Sequence, residues 1–256
     1  MSIYARRNTF EVISLVFFLK VEASPSGIIA LRSLPQSKMR NALRYIPPST
    51  LIGAIAYPLF HIAGYRGETL IDRRNPRSAA DKIKDLFLWV TVKGSIKPII
   101  YGSILKINRL HRGSVESAVT SFPFAVMYGE QDYSISFVYL LKEEAVANST
   151  YTLKDFERAA WGISRLGSRE SIVSVESVKS GKAKIREGKE ARTSYAFPFA
   201  GKEVEGEGTL QAVFDWRRGI GSYSNPQYIL MFYPDGEVTV RGELKVVSLD
   251  GEEVVL

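Results

Sequence analysis

His61 and His111 are the only two histidines in this chain of 256 residues, so proton transfer near neutral pH would have to begin with one of them. His61 falls inside an apolar helical pattern and reads as a partly buried packing residue. His111 stands in the basic run Asn108-Arg109-Leu110-His111-Arg112-Gly113. There a neutral imidazole could take a proton from an RNA 2′-hydroxyl while Arg109 and Arg112 stabilise the pentavalent phosphate. No second residue with a fixed place is available to orient that imidazole. The expectation is therefore a loop that contacts phosphate without chemistry, with His111 as the one residue to test for cleavage. The chain has no cysteine, which excludes disulfides, thiolate nucleophiles and cysteine-ligated zinc. No Asp, Glu and His cluster has metal-ligand spacing, so neither a metal nor a cofactor is expected.

Binding chemistry is better represented. Arg165 and Arg169 flank Gly167, with Ser164 and Ser168 beside them. A guanidinium fork grips phosphate oxygens in bidentate fashion and stacks on bases, and neighbouring hydroxyls add directional donors. The competing expectation is that Arg169 pairs with Glu170 or Glu176 and the glycine only ends a helix. Arg217-Arg218-Gly219-Ile220-Gly221-Ser222 is a weaker signal. It lacks the Lys and spacing of a phosphate-binding NTPase loop, and a plain connection between strands fits it equally. No strand carries the aromatic pattern of ordinary RNA-recognition motifs, so Tyr133, Phe137 and Tyr139 are assigned to the core.

Charge is divided unevenly. Residues 1–112 hold 18 Lys plus Arg against 6 Asp plus Glu, a net of +12, and residues 113–256 hold 16 against 21, a net of −5. A basic half points to a polyanion on one side of the molecule, with the alternative of solvated charges spread over all faces. The apolar run from Phe10 to Val21 is broken by Ser14 and Lys20 and is too short for a bilayer, and no signal-peptide pattern precedes it. A cytoplasmic protein without a membrane partner is expected. The scarcity of Gln and Asn, with many charged residues, fits a thermophile.

The elements that must position these groups follow from periodicity. Residues 10–22 alternate as a strand covered on both faces. After a basic loop with Arg32, Lys38, Arg40 and Arg44, a helix is predicted from about Ser49 to Ala63. Ser49 is its expected cap and Pro58 is expected to kink or shorten it. A short helix is expected near 79–86, and strands at 88–92, 97–107 and 133–141. The segment between the last two reads as an extended arm or hairpin, and the inserted arm as a whole spans about 93–132. Thr152 and Asp155 form a capping box that opens a helix expected to end at Gly167, followed by a strand at 171–179. The strand, helix, strand, strand, helix, strand order over residues 1–186 is that of an α+β, ferredoxin-like βαββαβ domain carrying the inserted hairpin. Runs at 208–216, 227–233 and 237–247, with a turn at Asp235-Gly236, make residues 187–256 a small C-terminal antiparallel sheet.

Two of these stretches carry a resemblance. Pro47-Pro48-Ser49-Thr50-Leu51-Ile52-Gly53-Ala54 and the segment from Gly162 to Glu176, with its glycine-flanked arginines, resemble the signature of the CRISPR-associated RAMP family five in its archaeal type I-A form. That family is similar in fold, with a thumb-like hairpin and a variable β-rich C-terminal part. The resemblance implies a non-catalytic subunit of the Cascade complex that holds the repeat-derived 5′ handle of the crRNA in antiviral defence. The handle contacts it implies are Arg40, Arg44 and Ser49, the arm residues Lys106, Arg109, His111 and Arg112, and the corner residues Arg165, Ser168 and Arg169. The implied protein partners are the family-seven backbone subunit and the large subunit. Two alternatives stay open: a metal-independent endoribonuclease that processes precursor crRNA, as in the type I-C branch, and an unrelated ferredoxin-like interaction module with a basic face.

Overall fold

The structure, a computed structural model, describes residues 15–26, 29–31, 43–65, 69–70, 77–94, 99–126, 134–169, 171–220 and 227–256. In chain order the elements are β1 (Leu15–Pro25), α1 (Pro48–Ile62), β2 (Thr69–Leu70), β3 (Arg77–Ser78), β4 (Phe87–Val92), β5 (Ile99–His111), β6 (Ser114–Val126) and β7 (Ile135–Lys142). There follow α2 (Glu143–Ala147), α3 (Leu153–Trp161), β8 (Val173–Thr193), β9 (Phe197–Pro198), β10 (Glu203–Glu205), β11 (Gly208–Phe214), β12 (Tyr228–Pro234), β13 (Val238–Leu249) and β14 (Glu252–Val255). The fold is α+β, with mostly antiparallel strands and few helices. No helix among the described residues is long and apolar enough to cross a membrane.

The centre of the main sheet runs β8-β1-β7-β4, with every neighbouring pair antiparallel. Leu19, Val21, Phe137 and Tyr139 are fully buried and sit opposite one another in register, Leu19 on Tyr139 and Val21 on Phe137. The Tyr139 hydroxyl donates to the Leu51 carbonyl at 2.8 Å, which seats α1 on this face. Phe87 meets Tyr139 and Phe156 at ring-centroid distances of 5.9 Å each, so α3 shares the same apolar layer. Thr152 caps α3 by accepting from the Asp155 N–H, and the Asp155 carboxylate accepts from the Thr152 N–H, the reciprocal box expected from the sequence.

The opposite face is closed by the chain itself. β8 pairs with β1 through residues 173–184 and with β13 through 185–193. The segment after it then reaches the far edge of the sheet, where Tyr195 bridges Lys93 and the Ala196 N–H donates to the Val92 carbonyl. This curls the sheet and covers the β4 edge, which would otherwise present unpaired backbone groups. Inside the curl Glu252 accepts from Lys20 at 2.6 Å, from Tyr195 at 2.8 Å and from Lys93.

Several expectations need correction. The run at 97–107 is no sheet strand; it is one leg of the β5–β6 hairpin, which pairs only with itself, and the sheet position belongs to β4. Two short 3₁₀ turns, Ala79–Lys82 and Lys84–Leu86, replace the single short helix near 79–86. The run at 237–247 joins the main sheet through β8 as β13, so the separate C-terminal sheet contains only β11, β12 and β9. β8 passes through residue 186 without interruption. The helix α1 likewise continues through Pro58 to Ile62.

Candidate nucleic-acid interface

Two segments far apart in sequence, the start of α1 and the corner after α3, meet in space. Helix α1 begins at Pro48, with Pro47 at the cap position in extended conformation and no side-chain cap bond. Ser49 is therefore the second helical residue rather than the cap. Prolines suit this place because the first turn of a helix has N–H groups without intrahelical partners. Helix α3 ends at Trp161, with Gly162 as its C-cap, one turn earlier than Gly167. A Cβ on Gly162 would lie 2.8 Å from the Pro58 Cβ, so the two helices touch through a glycine and a proline ring.

Backbone bonds then draw residues 164–168 and 171–173 tightly together. The Val173 N–H donates to the Ser164 carbonyl and the Leu166 N–H to the Ser171 carbonyl, both at 3.0 Å. The Ser171 N–H closes the turn on the Ser168 carbonyl at 3.2 Å. The Ser168 and Ser171 hydroxyls lie 3.1 Å apart, and the buried Ser171 hydroxyl accepts from the Ala30 N–H at 2.8 Å. Ser168 thus helps hold the loop to the body. Gly167 has φ +99, and a Cβ there would come 3.0 Å from Leu31 Cδ2 and 3.1 Å from the Ala30 carbonyl oxygen. Gly167→Ala is therefore expected to lower stability by about 1–2 kcal/mol, the cost of left-handed backbone for an L-residue, read from chemical denaturation. An unchanged midpoint would mean that the loop relaxes freely.

The loop leaves Arg165 and Arg169 exposed. The Arg165 guanidinium carbon lies 5.5 Å from the Tyr57 ring centroid, a cation–π contact. Between the start of α1 and this loop is a crevice of about 300 Å³ lined by Thr50, Gly53, Tyr57, Ser164, Arg165 and Gly167, among others. It continues past Tyr57 and Arg165 into a second space of about 600 Å³ bounded by Phe60, His61, Tyr65 and the turn at Ser78–Ala80. Among the described residues, no carboxylate lines either part.

Asp81 holds the turn that forms the far wall. It accepts from the Ile220 N–H at 2.9 Å and pairs with Lys84 at 3.0 Å. Burial works to raise its pKa, but the Ile220 N–H and Lys84 outweigh this and hold it below the usual carboxylate range. The Arg217–Ile220 segment is thus tied down as a connection between strands. Arg217 is itself engaged by Asp215, at 2.7 Å and 3.0 Å.

The remaining expected contacts are distributed elsewhere. Arg44 is exposed on a segment zipped to β11, where its N–H and that of Tyr45 both donate to Gln211 Oε1. Arg40 and Tyr133 lie outside the described residues. Lys106, Arg109 and His111 take their places on β5 opposite Val119, Glu116 and Ser114, and their side chains lie outside what is described. Arg112 and Gly113, with φ 49 and 80, make the two-residue turn at the hairpin tip. With 13 residues per leg, the hairpin is about 40 Å long. Leu110 and Val115 face each other near its tip, 76% and 71% exposed.

His61 corrects its expectation, since it is exposed and packs edge-to-face on Tyr57 at 4.4 Å. From sequence, Tyr57 is not singled out and neither Gly53 nor His61 is assigned to a binding site, although their spacing of four puts the three in one row on a helix whose core-facing stripe is Leu51, Ile52, Ile55 and Leu59.

No family model matches the chain, and no curated protein matches it. Among solved structures, the chain is similar in fold to a CRISPR protein from Archaeoglobus fulgidus, with a TM-score of 0.59 and 20% identity over 93% of this chain and 98% of that one. A chain of the type III-B Cmr-β complex bound to cognate target RNA also matches, with a TM-score of 0.41 and 12% identity over 87% and 86%.

Proposed function

We propose that this protein is a non-catalytic RNA-binding subunit of a CRISPR effector complex, holding the repeat-derived 5′ handle of the crRNA. The observation that carries the reading is the meeting of the α1 start and the Gly162–Arg169 loop around a crevice with Arg165 on its wall and no carboxylate among its described lining residues. A guanidinium on a wall whose described residues carry no carboxylate suits a phosphodiester chain, and the aromatic ring beside it suits a base. The likeness in fold to the Archaeoglobus fulgidus CRISPR protein supports the setting. So does the β8-β1-β7-β4 order, which we read as a ferredoxin-like βαββαβ unit with the β5–β6 hairpin inserted between its second and third strands. The finer assignment is a cytoplasmic type I-A Cascade subunit contacting the family-seven backbone and large subunits. It rests on the motifs at Pro47–Ala54 and Gly162–Glu176.

The test is binding of labelled repeat RNA, with the protein alone and with its backbone partner, over a salt series in EDTA. Affinity should fall by about 0.7 log units per log unit of salt for each single-strand phosphate neutralised, and RNA carrying the handle should be retained over RNA lacking it. Flat salt dependence or equal retention would refute the reading. The RNA should stay uncut. A single cut leaving a 2′,3′-cyclic phosphate, lost in His111→Ala, would instead make the protein an endoribonuclease.

A further inference from the structure

Gly53 stands in the interior of α1, where glycine is less favourable than alanine, yet no atom of the described residues demands it. A Cβ built there meets nothing within 4 Å. Gly162 and Gly167 differ, because Pro58, Leu31 and Ala30 leave no room for a side chain at either. The open space at Gly53 is where the two parts of the crevice join, since Gly53, Tyr57 and Arg165 line both. Tyr57 is 44% exposed there, although a tyrosine on a helix beside an apolar layer would ordinarily be covered. Its ring is held at 67° by His61 on one edge and has the Arg165 guanidinium beside it. Phe60, Ala79 and Ala80, all buried, give the wider part an apolar floor, and Ser78 and His61 stand at its rim.

We infer that this stretch of the crevice is a nucleobase pocket, in which one unstacked base of the bound RNA lies over Gly53 against the Tyr57 ring and Arg165. The inference rests on the RNA-binding reading above and adds a subsite to it. A flat π-face fits a floor that glycine keeps low, and both the phenol and the guanidinium are stacking surfaces for any base. Arg169, exposed on the same loop, is the side chain assigned to the backbone phosphate of that nucleotide. With Arg165 on the wall and no carboxylate among the described lining residues, the crevice favours a polyanion over a basic peptide as occupant.

The experiment uses the full chain with repeat RNAs carrying 2-aminopurine at successive positions. Binding should quench the fluorescence strongly at one position. Gly53→Leu, which fills the space, and Tyr57→Ala, which removes the platform, should each abolish that quench and weaken binding about tenfold, the contribution of one base–aromatic stack. The salt slope should be unchanged, because neither residue contacts phosphate. Gly53→Ala should melt at a higher temperature than the parent protein; a lower one would show that the space belongs to the protein's own packing and overturn the inference. It is equally overturned if no position is quenched while salt-dependent RNA binding persists, or if Gly53→Leu keeps both quench and affinity. Binding of free AMP or UMP with no quench of RNA would make the crevice a nucleotide site. Loss of a protein partner with RNA binding intact in Gly53→Leu would make it a protein groove. If the parent protein binds no RNA in a salt-dependent way, the RNA-binding reading itself fails, and the pocket with it.

Discussion

Replacing Arg165 and Arg169 together by alanine is expected to weaken RNA binding by about 2–4 kcal/mol, roughly 30- to 1000-fold, without unfolding the protein. Each charge-assisted contact to phosphate contributes about 1.5–3 kcal/mol, and two contacts on one loop are not fully additive. Both side chains are exposed, and among the described residues the partner of Arg165 is the Tyr57 ring rather than a carboxylate. The loop is held instead by its backbone bonds and by Ser171. Exposed substitutions of this kind change stability by about 0.5 kcal/mol or less. Titration of labelled repeat RNA, with a thermal melt of the same preparations, checks both halves of the expectation. A variant that melts early but binds normally while folded would make the arginines structural and remove them from the interface.

Glu252→Gln is expected to destabilise the protein by about 2 kcal/mol at pH 7, with the difference fading in acid. Burial of the Glu252 carboxyl acts to raise its pKa, but bonds from Lys20, Lys93 and Tyr195 overcome this and hold it at about 2, against an ordinary value of 4.5. A carboxyl whose folded pKa lies below its unfolded one contributes stability that is complete above the unfolded value. That stability is lost as pH falls through the folded value. The window is therefore from about pH 4.5 down to 2. The full shift would imply more than 2 kcal/mol, but the side chain is 29% exposed, and solvent screening reduces the figure. The neutral variant also strands Lys20, whose side chain is only 11% exposed. Burial keeps the Tyr195 hydroxyl protonated and so a donor to this carboxylate. Denaturant unfolding of both proteins from pH 7 to pH 2.5 measures the effect. A difference that stays constant across the range would mean that packing, and not ionisation, is what Glu252 supplies.

Local signals in the sequence determined most of the individual elements. The Thr152 and Asp155 box is legible because its two hydrogen bonds lie within four residues. The apolar run of β7 and the apolar stripe of α1 are legible because a strand buried on both faces is continuously apolar and a helix face repeats every 3.6 residues. Ser49 was misassigned as the cap because a serine just before an apolar run carries the same local signal whether or not the two prolines ahead of it already start the helix. Gly167 does adopt a positive φ, but as part of a loop whose helix had ended at Gly162; a glycine marks a conformation without saying which element it terminates. The hairpin strand at 99–111 and the sheet strand at 87–92 have similar patterns, and only pairing partners distant in sequence separate them.

The site belongs almost wholly to the tertiary structure. From sequence, Arg165 and Arg169 could be recognised as a phosphate-gripping pair, because their chemistry is local. The placement of Arg165 beside Gly53 and Tyr57, about a hundred residues earlier in the chain, is set by the packing of Gly162 on Pro58 and of Gly167 on Leu31 and Ala30. Those contacts depend on atoms fitting to within a few tenths of an ångström, and no composition or period encodes such a fit. The same reason hid the Glu252 cluster. Lys20, Lys93, Tyr195 and Glu252 come together only when the chain after β8 crosses to the β4 edge and curls the sheet, a closure decided by pairing partners far apart along the chain.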